Sequence, residues 1–404
     1  MRIRSITCFI HPRWPISELV FEKAGIFAQM AQQAFEDAGY PVQTVRMATP
    51  PFPEFLSQQD YQQACAQISV MAHSKGFDYA AMGPALTHVP ESYEAIPELL
   101  TQSENLFFSG HLTTPNAEIS LPAVRACARV IHHAASLEAN GFANLRFTAL
   151  GNVAPWAPFF PAAYHQGKTS AFALALEAAD LAVSVFSAAK SLQQARRDLI
   201  EQMESHAQAL QSIAERLAAI YQMEFKGLDF TPAPFPSPDK SLGNALEQLG
   251  LPAIGLSGSL AAAAFLTDTL DQANFKRTGF NGLMLPILED STLAARAAQG
   301  VLSITDLLLY SAVCGTGLDT VPLPGDASFE QISAVLLDLA ALSLRLDKPL
   351  TARLMPIPGK KAGDKTGFNF EFFANSKVLP LPAEPLTGLL AGDETLMISP
   401  KRKP

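Results

Sequence analysis

Short runs of β-favouring residues alternate with longer stretches of helical periodicity through the first half of the chain, the pattern of parallel βα units. Residues 3–10 predict a first strand. Over 16–35 the apolar Ile16, Val20, Ala24, Phe27, Ala31 and Phe35 recur every three or four residues, predicting an amphipathic helix ended by Gly39. A second strand is predicted over 42–48, and others over 79–82, 106–109, 145–150 and 181–186, with helices near 61–73, 93–102, 121–137 and 169–178. Over 190–222, Leu192, Leu199, Met203, Leu210, Ile213, Leu217 and Ile220 form one apolar stripe on a helix about 45 Å long at 1.5 Å per residue. His206 falls on that stripe as a core or interface histidine, and the length of the stripe predicts a subunit contact, hence a homodimer or larger homo-oligomer.

The proline-rich stretch 231–238 cannot continue regular structure and divides one large α/β domain, 1–404, into halves of approximately 1–223 and 224–404. The second half predicts helices over 242–249, 259–272, 291–299, 304–313 and 329–346. Strands over 352–357 and 368–373, joined by the Lys- and Gly-rich loop 359–367, complete it.

Composition narrows the class. At 404 residues and 48% hydrophobic, the chain can bury a large core. It has no apolar run long enough for a membrane span and no secretory signal pattern at its start, so a cytoplasmic protein without membrane partners is expected. The cysteines Cys8, Cys65, Cys127 and Cys314 are far apart and form no CxxC pair, which argues against structural zinc and disulfides. A formal charge of −9 gives nucleic acid no electrostatic footprint, and Lys401, Arg402 and Lys403 read as a solvated end.

Familiar motifs fail on spacing. Gly315-Thr316-Gly317 lacks the third glycine and the preceding strand of a dinucleotide fingerprint. The loop 359–367 carries Asp364 where a phosphate loop needs glycine, and 255–259 misses the nucleophile-elbow spacing by one residue. Three stretches retain chemistry. Cys314 is a thiol at the end of an apolar helix, followed by Gly315, Gly317 and the carboxylate of Asp319. Glu289 and Asp290 open a helix after Asn281, Gly282 and Pro286, where capping is the simpler reading. The aromatic, proline-rich 155–165 follows a strand and ends in His165, a residue suited to acid–base work.

At these residues the chain resembles the family of uncharacterised proteins known as domain of unknown function 711, or uncharacterised protein family 0210. The likeness runs through the blocks Ile3-Arg4-Ser5-Ile6-Thr7, Thr44-Val45-Arg46, Pro158-Phe159 to His165, Gly227-Leu228-Asp229, Gly279 to Asp290 and Cys314 to Pro322. The resemblance implies a fold like that of pyruvate formate-lyase, an α/β barrel-like core of two mostly parallel half-sheets surrounded by helices. It implies no known reaction. The glycyl-radical motif of that fold is missing, Gly388 being a poor substitute, so no radical chemistry is expected.

The expectation is an enzyme-like protein that binds a small polar metabolite in a barrel pocket. Cys314 would be nucleophile or thiol acid, His165 proton carrier and Asp229 or Asp319 orienting groups. Ligand-binding positions are expected at Arg46, Phe159, Asp229, Asn281, Gly282, Glu289, Asp290, Gly315 and Gly317. The sequence names no cofactor. An oxygen-rich metal site would require Asp229, Glu289, Asp290 and Asp319 to converge. The alternative is a non-catalytic metabolite sensor or scaffold on the same fold, with Cys314 a small buried hydrophobe.

Overall fold

The computed structural model describes residues 1–313 and 315–400; Cys314 and the basic end at 401–404 lie outside the described residues. The strands in chain order are β1 (Arg2–Phe9), β2 (Val45–Ala48), β3 (Tyr79–Ala85), β4 (Leu106–His111), β5 (Glu118–Ser120), β6 (Phe147–Gly151), β7 (Ala171–Glu177), β8 (Glu224–Asp229), β9 (Gly317–Pro324), β10 (Leu350–Ile357) and β11 (Thr395–Met397). Nine of them form one sheet in the order β8-β7-β1-β2-β3-β4-β6-β10-β9, while β5 and β11 pair separately. β1, β2, β3, β4 and β6 run parallel. β7 turns antiparallel to β1 and β10 antiparallel to β6, and each is continued by a parallel neighbour, β8 and β9. Strands from both halves of the chain therefore share one continuous sheet, in place of the two expected half-sheets.

Side-chain alternation gives this sheet two unlike faces. Ile6, Cys8, Val45, Met47, Ala80, Met82 and Phe108 join the main core with helical residues such as Phe21, Phe27 and Phe35. The opposite face carries Phe9, Ala48, Ala81 and Phe107, covered not by helices but by the irregular 152–170 segment through Phe160 and Ala163. Ser5 and Thr7 also point there, and the Thr7 hydroxyl donates to the Pro158 carbonyl at 2.8 Å.

The sheet curls around that second face. Arg4 on β1 and Arg353 on β10 stand five strand positions apart, roughly 24 Å across a flat sheet. Both nevertheless donate to the carboxylate of Glu289, at 2.6 Å each. Segment 277–290 spans the opening between the two sheet edges: Arg277 forms a bridge with Leu228 of β8, and Pro286 one with Asp319 of β9. No closed barrel forms among the described residues.

The last strand–helix pair of the first half is inverted relative to expectation. The stretch expected as helix, 169–178, is β7, and the one expected as strand, 181–186, lies in the helix Ala179–Ala188. Every residue of β7 is buried, so both faces are apolar and the period-two signal is erased; its alanines then imitate helix composition. Two further strands, β8 and β9, form in segments where no strand was expected. The stretch 368–373 is not a strand but a turn in which the Phe373 amide donates to the Phe370 carbonyl, and its phenylalanines pack on one another and on Phe142.

The long helix is Leu192–Tyr221. Its buried side, which includes Leu199, Met203, Leu210 and Leu217, packs on the helices Glu18–Asp37, Ala179–Ala188 and Ser259–Gln272 and on β8 of the same chain. His206 accepts or donates a 3.0 Å hydrogen bond with the Tyr40 hydroxyl. Most of the stripe that motivated a subunit contact is thus used within the chain, while Leu192 and Ile220 at its ends are exposed. Among the described residues no helix is long and apolar enough to cross a membrane. Leu210→Ala should lower unfolding stability by about 3 kcal/mol without altering the molecular mass. Urea denaturation and sedimentation of the variant check both parts, and dissociation of an oligomer on mutation would contradict this assignment.

Candidate functional site

The second face of the sheet carries charges that a buried strand seldom holds. Arg4 interrupts β1 at a register shift between Ile3 and Ser5, Arg46 lies in β2, and Arg353 in β10. Glu289 reaches them from the closing segment, and Asp319 from β9. Arg353 donates from Nε to Asp319 and from Nη2 to Glu289, both at 2.6 Å. Arg4 donates to the other oxygen of Glu289 and, at 3.2 Å, to Glu177, which also receives Arg2. Burial opposes the Glu289 charge, but Arg353, Arg4 and Arg46 outweigh it and hold the carboxyl below its ordinary range. Burial raises Asp319, with Arg353 opposing. Burial likewise opposes the Arg353 charge, and its two carboxylates more than compensate.

Arg46 is different. It is buried, and its Nε donates to the Thr44 hydroxyl at 2.8 Å, yet among the described residues no carboxylate pairs with it. Its guanidinium lies against the rings of Phe160 and Tyr79, at 5.2 and 5.8 Å. Burial, and then the like charge of Arg4, disfavour its cation. Beside it opens a cavity of about 120 Å³, lined by Arg4, Arg46, Glu289 and Arg353 and walled by Phe107, Phe159, Phe160, Met284, Phe370 and Phe372.

The remaining expected ligand positions hold the closing segment in place. Asp229, fully buried at the end of β8, accepts from the amides of Thr231, Phe280 and Asn281 and from the Thr231 hydroxyl. Asn281 accepts from the Phe230 amide and donates to the Thr278 carbonyl. Asp290 caps the helix Ser291–Ala298 and binds Ser241 and the Gly243 amide. Gly282 and Gly315 pass so closely that a Cβ on Gly282 would sit 2.4 Å from the Gly315 backbone. Gly317 begins β9 with φ +94°, where a side chain would also strike the Thr351 carbonyl. Asp229, Glu289, Asp290 and Asp319 do not converge, and among the described residues no cluster of three or more His, Cys, Asp or Glu side chains is placed to hold a metal ion.

His165 stands apart from Asp319, with no hydrogen bond joining them. Its imidazole is fully buried and tilted against Trp156 at 4.9 Å, and neither ring nitrogen has a partner among the described residues. Its amide donates to the carbonyl of Thr49, just past the carboxyl end of β2, whereas Arg46, Tyr79 and Phe107 lie toward the strand starts. Burial, then the charges of His11 and Lys226, lower its pKa to about 4. Sequence reasoning had reached Arg46, Phe159, Glu289 and Asp319 but not Arg4, Arg353, Tyr79 or the phenylalanines around them. The available signal was a single arginine inside each of two strands otherwise built for burial.

A curled, mostly parallel α/β sheet, bearing a buried arginine–carboxylate cluster under an irregular closing segment, is the class that fold and site define. The chain belongs to the family described as Uncharacterised ACR (DUF711), whose model matches residues 1–371. It is similar to UPF0210 proteins of Pyrobaculum arsenaticum, 29% identical over 86% of this chain and 81% of the relative, and of Pyrobaculum aerophilum, 30% identical over 81% and 76%. A UPF0210 protein of Syntrophobacter fumaroxidans is 27% identical over 87% and 82%.

Because the folded-state pKa of His165 lies below the ordinary 6.5, the unfolded chain takes up a proton that the folded chain refuses between those values. Stability should therefore fall as pH drops from about 6.5 toward 4, with His165 contributing on the order of 1 kcal/mol. His111, also lowered to about 4 by burial, adds in the same direction. Urea denaturation at pH 7 and pH 5 should show a smaller loss in His165→Phe than in the unaltered protein; equal losses would remove His165 from the effect.

Proposed function

We propose that the protein binds a small anionic metabolite in the cavity beside Arg46, and that its fold serves as a barrel-like container for that ligand. The observation that carries this reading is the buried Arg46, with which no carboxylate pairs among the described residues. Burying an isolated cation costs several kcal/mol unless something neutralises it. The neighbouring carboxylate, Glu289, is already committed to Arg4 and Arg353, so the missing counter-charge is supplied from outside. The curl of the sheet and the bridges of segment 277–290 to both edge strands support the barrel-like reading.

The reading fixes opposite signs for two arginines. In anion-free buffer Arg46→Met should be neutral or stabilising by about 1 kcal/mol, whereas Arg353→Met, which strands Asp319 and leaves Glu289 with Arg4 as its one hydrogen-bonded arginine, should cost about 3–5 kcal/mol. Added sodium acetate should stabilise the unaltered protein and not Arg46→Met, because only a ligand of the folded state raises its stability. Urea denaturation with and without acetate checks all three. Loss of stability in Arg46→Met equal to that in Arg353→Met would make Arg46 a structural residue.

Within this reading Cys314 is the reactive group of an enzyme. Cys8, Cys65 and Cys127 are buried, and burial pushes their thiols up, that of Cys65 to about 12. Rapid labelling of the native chain therefore reports on Cys314. One thiol per chain should react with a maleimide, and Cys314→Ser should abolish it. Failure of any thiol to label would favour the second reading, a non-catalytic sensor. That reading draws support from His165, buried away from Asp319 and without a proton partner.

A further inference from the structure

We infer that the ligand of the Arg46 cavity is a compact apolar monocarboxylate, a branched aliphatic or single-ring acid. The inference rests on the reading of Arg46 as an anion site and adds charge, shape, polarity and size to it. The linked residues Arg2, Arg4 and Arg353 balance Glu177, Glu289 and Asp319 charge for charge, which leaves the neighbouring Arg46 as one uncompensated positive charge. One further negative charge brings the cluster to neutrality. A dianion such as phosphate would leave an uncompensated charge out of water.

Shape selects a planar group. The Nε of Arg46 is occupied by Thr44, and aromatic rings lie against the guanidinium. What remains is the edge carrying the two terminal nitrogens, whose spacing matches the two oxygens of a carboxylate. Phe107, Phe159, Met284 and Phe372 wall most of the remaining space, and beyond the charged residues only Gln43, whose Oε1 has no partner among the described residues, Thr44 and Tyr79 add polar groups, so most hydroxyls of a sugar acid would lose their hydrogen bonds to water without replacement. Size sets the upper limit. A cavity of about 120 Å³ is slightly smaller than the roughly 150 Å³ that holds benzene in an engineered protein core, so the body of the ligand is about one ring or a short branched chain.

Titration calorimetry on the full chain tests this with benzoate, 3-methylbutanoate, benzyl alcohol, succinate and inorganic phosphate. The two monocarboxylates should bind at least about tenfold more tightly than the other three, and Arg46→Gln should weaken them about 10- to 100-fold. The ranking on the unaltered protein stands whether or not the variant folds. Succinate or phosphate binding as tightly as benzoate, with the binding lost in Arg46→Gln, would overturn the monocarboxylate assignment and leave the anion site intact. Benzyl alcohol matching benzoate would overturn the assignment as well. Binding by none of the anions would overturn both readings.

Discussion

Everything in this molecule that resembles a site depends on one carboxylate receiving two guanidinium groups from opposite ends of a sheet. Glu289 accepts from Arg4 and from Arg353, and the strands that carry them can present their arms to one point only if the sheet between them curls. Such buried ion pairs add little net stability, since desolvation consumes most of the attraction, but breaking one leaves an uncompensated charge and is expensive. Their effect is geometric: an uncurled sheet, or one with the closing segment displaced, would hold the same charges unpaired. The cavity is the space left when the curl is held at that radius.

The closing segment is fixed with comparable redundancy. Asp229 spends both oxygens on the backbone of 280–281 and on Thr231, and Asp290 spends its own on the helix start and on Ser241 and Gly243. These acids are buried, and burial raises the pKa of each against the hydrogen bonds that favour its charge. Between the two anchors, Gly282 passes Gly315 at backbone contact, so the segment that bears Met284 and Glu289 cannot drift outward without disturbing the start of β9. Acids that by type suited catalysis or metal binding serve instead to position the one acid, Glu289, that faces the cavity.

Much of the helical framework was legible from the sequence, because helices such as Ser259–Gln272 and Phe329–Leu346 bury one stripe and keep a period of 3.6. The sheet was legible at β1, β2, β3, β4, β6 and β10, whose β-favouring runs are bounded by turn or helix signals. β7 was misread since a strand buried on both faces has no alternation to detect, and β9 since Gly317, Asp319 and Pro322 look like loop residues when their strand partners are unknown. Ordered blocks of sequence led to Glu289, Arg46 and Phe159, which line one cavity, and to Asp319, which meets it through Arg353. Arg4 and Arg353 were not read as site residues, because a charge inside an apolar strand declares burial with a partner but not which partner. His165 was read by residue type alone, and type is silent on whether a ring nitrogen will have anything to bond.

That silence bears on what kind of protein this is. A proton carrier needs a hydrogen-bond partner on the way to the reacting atom, and the imidazole of His165 has none among the described residues, while Asp319 is held by Arg353. The arrangement around Arg46 is the reverse: a donor edge with a cavity in front of it and an aromatic floor behind. The described framework thus holds a guanidinium without a carboxylate beside a cavity, and a histidine without a partner. The other charged side chains at the cavity, Arg4, Arg353 and Glu289, are already committed to holding one another.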